Sequence, residues 1–276
     1  MGEVGATRIS LCGRLSVELE GERIELPGRQ GRLLFAYLVL HRDRAVRRDE
    51  LVEALWSGGE APAGGEALAP PLSRLRKALG PGRLEGRGEL QLLLPADAWV
   101  DWEVAHDALR RAVDAIGRED WPAAWGPAQA ALAIAERGLL PGLEAPWIDE
   151  RRVQLADLRV QALEAVATIG AKLRGSELAP AERAARAAVE AAPFRESARA
   201  ALMEILAAEG NVAEALRVYE DLRVLLRDEL GTTPGAAVVA LHERLLQSGA
   251  PAAAPAAAPP AAAAPPLAGA RTAAPD

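Results

Sequence analysis

Cysteine is almost absent. The 276 residues hold one, Cys12, which excludes an intrachain disulfide framework and any zinc site built on several thiolates. Long apolar runs are missing too: the longest, Leu33 to Leu40, has eight residues, against the roughly 20 that a membrane span needs. The opening Met-Gly-Glu-Val-Gly has no basic region followed by an apolar one, so no signal peptide is expected. Histidine is scarce, and His41, His106 and His242 stand far apart on different expected helices. They read as helix-end or surface residues rather than ligands. His242-Glu243 lacks the second His, four positions on, of a zinc-protease helix. Neither a Gly-x-x-x-x-Gly-Lys-Ser/Thr phosphate loop nor a Gly-x-Gly-x-x-Gly after a strand occurs. These absences point to a soluble cytoplasmic protein that is no enzyme, with no cofactor, no metal and no membrane partner.

What remains is a globular composition, half apolar and a quarter charged, in a length that suits two domains. The segment 249–276 differs: 22 of its 28 residues are Ala or Pro, so it cannot bury a core or hold a continuous helix. It reads as a semi-extended, disordered linker, either a dangling tail or a lead to a further domain. Charge is unevenly divided. Residues 1–100 carry 14 basic and 14 acidic side chains, and residues 101–276 carry 18 against 25, which accounts for the net −7. The balanced part holds two basic runs. Arg29 to Arg48 has six arginines against Asp43, and Pro70 to Gly88 has Arg74, Arg76, Lys77, Arg83 and Arg87 against Glu85. Local patches of this kind steer toward phosphate, although scattered arginines also make ordinary solvated surface.

Residues Arg8 to Leu26 alternate as a half-buried strand pair. Ile9, Leu11, Leu15, Val17 and Leu19 share one parity, Glu20-Gly21-Glu22 turns, and Ile24 and Leu26 resume. Helices are expected at 29–41, where Leu33, Leu34, Tyr37 and Leu38 recur with helical spacing, at 48–56, and at 70–79. Ser57-Gly58-Gly59 ends the second, and Glu60 to Gly65 is loop-like. Arg83 to Leu94 then reads as a hairpin turning at Gly86-Arg87-Gly88. This order is that of a winged helix-turn-helix, whose third helix enters the major groove while the wing reaches the backbone or minor groove. On a helical wheel Leu72, Leu75 and Leu79 form a packed stripe, and Ser73, Arg74 and Lys77 lie opposite. Arg76 lies nearer the packing side. Pro70 and Pro71 forbid one unbroken helix from 64 to 79, which leaves a short reading helix with few base contacts. Glu66, just before it, repels phosphate.

From Asp101 strand signals vanish. Helical patterns run at 101–117, 119–137, 145–171, 178–192, 195–209, 211–230 and 234–247. Ala181-Glu182-Arg183-Ala184 and Ala213-Glu214-Ala215-Leu216 each open a helix 32 residues apart, near the tetratricopeptide period. Arrays of this type build surfaces that contact partners; a plain bundle is the simpler alternative. Trp56, Trp99, Trp102, Trp121, Trp125 and Trp147 read as core or junction residues. Trp99 and Trp102 flank the domain boundary and are expected to fix the domains together. Cys12 reads as a small buried hydrophobe.

The expected fold is therefore mainly α with a small β part. A winged helix with an N-terminal sheet occupies 1–98, a tetratricopeptide-like all-α domain 99–248, and the tail 249–276. With these stretches in place, the chain resembles the antibiotic-regulatory-type transcriptional activators of actinobacteria. These join a response-regulator-type winged helix to a bacterial transcriptional activator domain. LCGRLSVELEGERIEL, GRQGRLLFAYLVLHRDRAVRRDELVEALW and LSRLRKALG carry the resemblance in the first half. LLPGLEAPWIDERRVQLADLRVQALEAVA and ALMEILAAEGNVAEALRVYEDLRVLLRDELGTTPG carry it in the second. The resemblance implies binding to double-stranded promoter DNA at repeats, by two protomers, with recruitment of RNA polymerase. By position, it implies phosphate contacts at Arg47 and Arg48, a reading face of Ser73, Arg74 and Lys77, and Arg87 at the wing tip. A competing reading is a protein-interaction scaffold whose winged helix no longer binds DNA; the zero-charge first half and the proline-broken third helix motivate it.

Overall fold

The computed structural model describes residues 5–56 and 65–249. The opening Met-Gly-Glu-Val, the glycine-rich stretch 57–64 and the Ala/Pro segment from residue 250 onward lie outside the described residues. The fold is mainly α with a small β part.

The alternating N-terminal segment forms strands β1 (Gly5–Ser10), β2 (Ser16–Glu20) and β3 (Glu22–Arg23). Glu20 and Gly21 both take positive φ (54° and 86°) between the paired Leu19 and Glu22, the two-residue turn whose twist suits a hairpin. The expected strand through Leu11 and Leu15 stops earlier, at Ser10. The reason is chemical: the N–H groups of Leu11 and Cys12 do not continue the ladder but donate to the Asp101 carboxylate, at 2.8 and 2.9 Å. Cys12 itself is buried and bridges to Leu139.

Helices α1 (Gly28–Leu40), α2 (Arg48–Trp56) and α3 (Ala69–Leu79) follow. Leu33, Leu34, Tyr37 and Leu38 of α1 are buried as their spacing requires. A 3-10 turn, Gly65–Leu68, leads into α3, and Pro70 and Pro71 sit in the first helical turn, where a missing N–H breaks no intrahelical bond. The wing is β5 (Leu84–Glu85) and β6 (Glu89–Leu92). Two short strands have no periodic signal in the sequence. Strand β4 (Val46–Arg47) pairs with β6, and β7 (Trp99–Val100) pairs parallel to β1 as the fourth strand of the N-terminal sheet, in the order β3-β2-β1-β7.

Seven helices complete the described chain: α4 (Asp101–Gly117), α5 (Trp121–Ala135), α6 (Pro146–Leu173), α7 (Leu178–Ala191), α8 (Glu196–Ala208), α9 (Val212–Leu230) and α10 (Ala236–Gly249). Their packing is alanine-rich and close. A Cβ on Gly170 would lie 2.4 Å from that of Ala181, so α6 and α7 approach at a distance no side chain allows. One apolar core joins the two halves of the chain. It runs from Ile9 and Phe35 through Leu72 and Leu90 to Ile148, Leu155 and Leu158 of α6.

Several polar contacts lock that joint. Arg42, past the end of α1, makes a bidentate pair with Glu103 of α4 at 2.7 and 2.6 Å. The Trp147 indole N–H donates to the Ala54 carbonyl at 3.0 Å, and the ring meets Tyr37 edge-on. The Arg151 guanidinium lies 5.9 Å from the centre of the Trp102 ring, and Arg8 lies 4.7 Å from that of Trp99.

Asp101 is completely buried. Its carboxylate accepts from Leu11, Cys12 and its own helix neighbour Trp102. Burial pushes its carboxyl above the ordinary carboxylate range, and the three N–H donors pull it partly back. Protonation is therefore easier in the folded chain than in the unfolded one. Stability from this group falls as pH rises from the ordinary carboxylate value through the raised one, opposite to the usual acid denaturation. Asp101→Ala leaves two buried N–H groups without partners and is expected to cost about 2 to 6 kcal/mol, at roughly 1–3 kcal/mol for each. Asp101→Asn, which retains an acceptor oxygen, is expected to lose less and to abolish this component of the pH dependence. Urea denaturation across the acid range checks both; an alanine variant as stable as the parent would refute the anchoring role.

Candidate nucleic-acid interface

Helix α3 divides as its sequence requires. Leu72, Leu75 and Leu79 are buried against α1, whereas Ser73, Arg74 and Lys77 are exposed together on the opposite side. No acid occurs between Ala69 and Leu79, so this face carries two cations and a hydroxyl. The Arg74 Nε reaches back to the Pro70 carbonyl at 3.4 Å, and neither Arg74 nor Lys77 forms an ion pair among the described residues.

The wing is tied to the helices by arginines. Arg76, on the flank of α3, donates to the Gly86 carbonyl at 2.6 Å, so it is spent on architecture. Arg83 pairs with Glu20 of the N-terminal hairpin. Arg48, the first residue of α2, donates from its backbone N–H to Gly88 and from its guanidinium to the Arg87 carbonyl, both at 3.3 Å. The Arg87 side chain is exposed at the wing turn. Arg48 and Arg87 are thus brought together. Arg47 lies beside them on β4, opposite Glu89, but its guanidinium is held by Asp49. Both partners are well exposed, so the pair is weak and can yield to a phosphate.

Behind this surface, α2 is fixed to α1 by a polar knot. The Tyr37 hydroxyl donates to Glu50 at 2.7 Å, and Arg44 grips the same carboxylate at 2.5 and 3.1 Å. The Arg44 hydrogen bonds hold the Glu50 carboxyl below its ordinary value, while burial and Glu50 push the Tyr37 hydroxyl up to about 12. Arg44 is countable as a charge in the basic run, but its work is structural.

The three histidines each pack on an aromatic ring, His41 on Tyr37, His106 on Trp102 and His242 on Tyr219. Among the described residues no group of three or more His, Cys, Asp or Glu side chains could hold a metal ion, and no helix is long and apolar enough to cross a membrane. Burial, with Asp101 adding to it, pushes the Cys12 thiol up to about 12, which makes it unreactive.

Residues 100–246 match the bacterial transcriptional activator domain family. The chain belongs to that family. It is of the antibiotic-regulatory activator type that the quoted stretches resemble. The regulatory protein AfsR of Streptomyces coelicolor is 35% identical over 250 residues, covering 89% of this chain and 25% of AfsR. The transcriptional regulatory protein EmbR of Mycobacterium tuberculosis is 26% identical over 244 residues, covering 86% of this chain and 62% of EmbR. This chain therefore spans about a quarter of the one relative's length and under two thirds of the other's. A structure of Mycobacterium tuberculosis EmbR in complex with a low affinity phosphopeptide shares the fold, with a TM-score of 0.75 at 24% identity over 88% of this chain and 65% of EmbR.

The wing depends on Gly86. Its φ is +95°, and a Cβ there would lie 1.9 Å from the Glu89 carbonyl oxygen. Gly86→Ala is expected to destabilise the protein by about 1–3 kcal/mol and to raise hydrogen exchange in β5 and β6 while the helical circular dichroism stays unchanged. An unaltered exchange pattern across residues 84–92 would contradict this.

Proposed function

We propose that this protein is a transcriptional activator whose winged-helix half (1–98) binds double-stranded promoter DNA, and whose helical domain (99–248) recruits RNA polymerase. The observation that carries the reading is the acid-free exposed face of α3, with Arg74 and Lys77 outside any ion pair among the described residues. Set in the major groove, Arg74 and Lys77 can donate to guanine edges or phosphates, and Ser73 can do either. Arg48 and Arg87 flank the helix at the wing, where the backbone passes. Arg47 joins them once released from Asp49. The match to activator domains and the regulator names of the relatives support the same assignment. Two copies on adjacent repeats would supply the base contacts that a three-turn reading helix lacks, and the work would be done in the cytoplasm.

Titration on the protein's own upstream region at two salt concentrations tests this. Wild-type affinity is expected to fall steeply with salt. Arg74→Ala/Lys77→Ala is expected to bind at least tenfold more weakly, with a log–log salt slope flatter by about 0.9 for each phosphate no longer neutralised. Salt-independent or absent binding by the wild type would instead favour the protein-docking scaffold.

A further inference from the structure

A second basic site lies away from the reading helix, where the β2–β3 hairpin, the first turns of α1 and the loop 138–143 enclose a cavity of about 470 Å³. Three arginines from three separate elements line it: Arg14 before β2, Arg23 in β3 and Arg32 in α1. All three are exposed, and none forms an ion pair among the described residues. Arg32 spends one N–H on the Gly28 carbonyl at 3.2 Å, and Glu18, across from Arg23 in the hairpin register, makes no ion pair with it. Glu25 is the one acid in the lining.

Apolar side chains lie between these cations. Leu15, Ile24 and Leu26 are half-buried there, and Leu140 and Leu143 close the far side. The loop that bears the last two is built rather than loose: the Arg152 guanidinium donates to the Leu139, Leu140 and Leu143 carbonyls at 2.8–3.2 Å. In another cavity, of about 320 Å³ between α6, α8 and α10, two of the three lining cations, Lys172 and Arg244, are spent on Glu204.

We infer that the cavity between the N-terminal hairpin, α1 and the 138–143 loop binds a small organic anion, with carboxylate or phosphate groups toward Arg14, Arg23 and Arg32 and an apolar body on Leu15, Ile24 and Leu26. The volume falls in the range of small-molecule sites, and the lining exposes more polar than apolar surface, as suits a charged ligand. Guanidinium forks match both anion types. Three cations facing one acid, in a chain of net charge −7, give an excess that an anionic ligand would neutralise. Because the walls come from the winged-helix half and the helical half alike, an occupant would bridge them.

The full chain is titrated with naphthyl phosphate, naphthoate and neutral naphthol, read by the anisotropy of the naphthyl fluorescence. One or both anions are expected to bind and naphthol to bind at least tenfold more weakly, the tighter anion naming the head group. Arg14→Gln and Arg23→Gln are each expected to weaken binding about tenfold, the loss of one charged hydrogen bond. Leu15→Ser is expected to weaken it further, and Lys172→Gln to leave it unchanged. Equal binding of naphthol and the anions, no binding of either anion, or anion binding indifferent to Arg14 and Arg23 would overturn the site. So would variants that bind duplex DNA more weakly while the parent takes up no naphthyl anion, because the arginines would then be further backbone contacts. Unchanged thermal melts of the exposed-arginine variants keep these outcomes separate from misfolding.

Discussion

A carboxylate with no access to water holds this molecule together. Asp101 stands where strand β7 ends and the first long helix begins, and its two oxygens gather N–H groups from the residues just past β1 and from that helix. Burying the charge is unfavourable in itself and pushes the carboxyl above its ordinary range. It persists because the alternative is worse: Leu11 and Cys12 turn out of the sheet at this point, and their N–H groups would be sealed in the core with nothing to accept them. An apolar residue of equal volume could not repair that loss. The constraint also fixes direction. Once the end of β1 is bonded to the start of α4, β7 can only run parallel to β1, and the helical half must leave from the edge of the N-terminal sheet.

From that anchor the basic side chains of the N-terminal half and the joint divide. Arg42, Arg44, Arg76, Arg83 and Arg152 are consumed by carboxylates and carbonyls that set one element against another. Arg74, Arg87 and Lys77 are left on the reading face, and Arg14, Arg23 and Arg32 on the hairpin cavity. Counting charges along the chain cannot make this division. Arg74 and Arg32 reach only a carbonyl of their own helix and keep their charge for an incoming anion.

Periodic signals were legible in the sequence because period is what burial selects. The leucine stripe of α3 and the opposed Ser73, Arg74 and Lys77 follow from 3.6 residues per turn, and the helix starts of the second half follow from Gly and Pro breaks. Strands β4 and β7 have two residues each, too few to show alternation, so Trp99 read as a junction residue and its place in the sheet stayed hidden. Asp101 looked like any acid in a first helical turn, where the dipole favours one. Its burial depends on Leu11 and Cys12, about 90 positions away. Trp147 reads as a core or junction residue, but its bond to the Ala54 carbonyl, 93 positions back, has no signal in the sequence. Arg47 was readable as a phosphate contact from its position, but its pairing with Asp49 two residues on was not.

The shared core has a further consequence for how such a protein could be controlled. Ile148, Leu155 and Leu158 of α6 pack in the same cluster as Leu33, Leu72 and Leu90 of the winged helix. A hinge between reading head and helical array would have to expose that cluster, at about 25 cal/mol for each Å² of apolar surface, and break the Arg42–Glu103 and Trp147–Ala54 contacts as well. Rigid placement is the cheaper principle. On the proposed reading, with the wing and α3 seated on DNA, the helical array would be carried to a set position and angle, and a partner would be selected by where the array stands. A molecule in the proposed cavity would then act at the edge of this unit, where the Arg152 clasp holds the 138–143 loop.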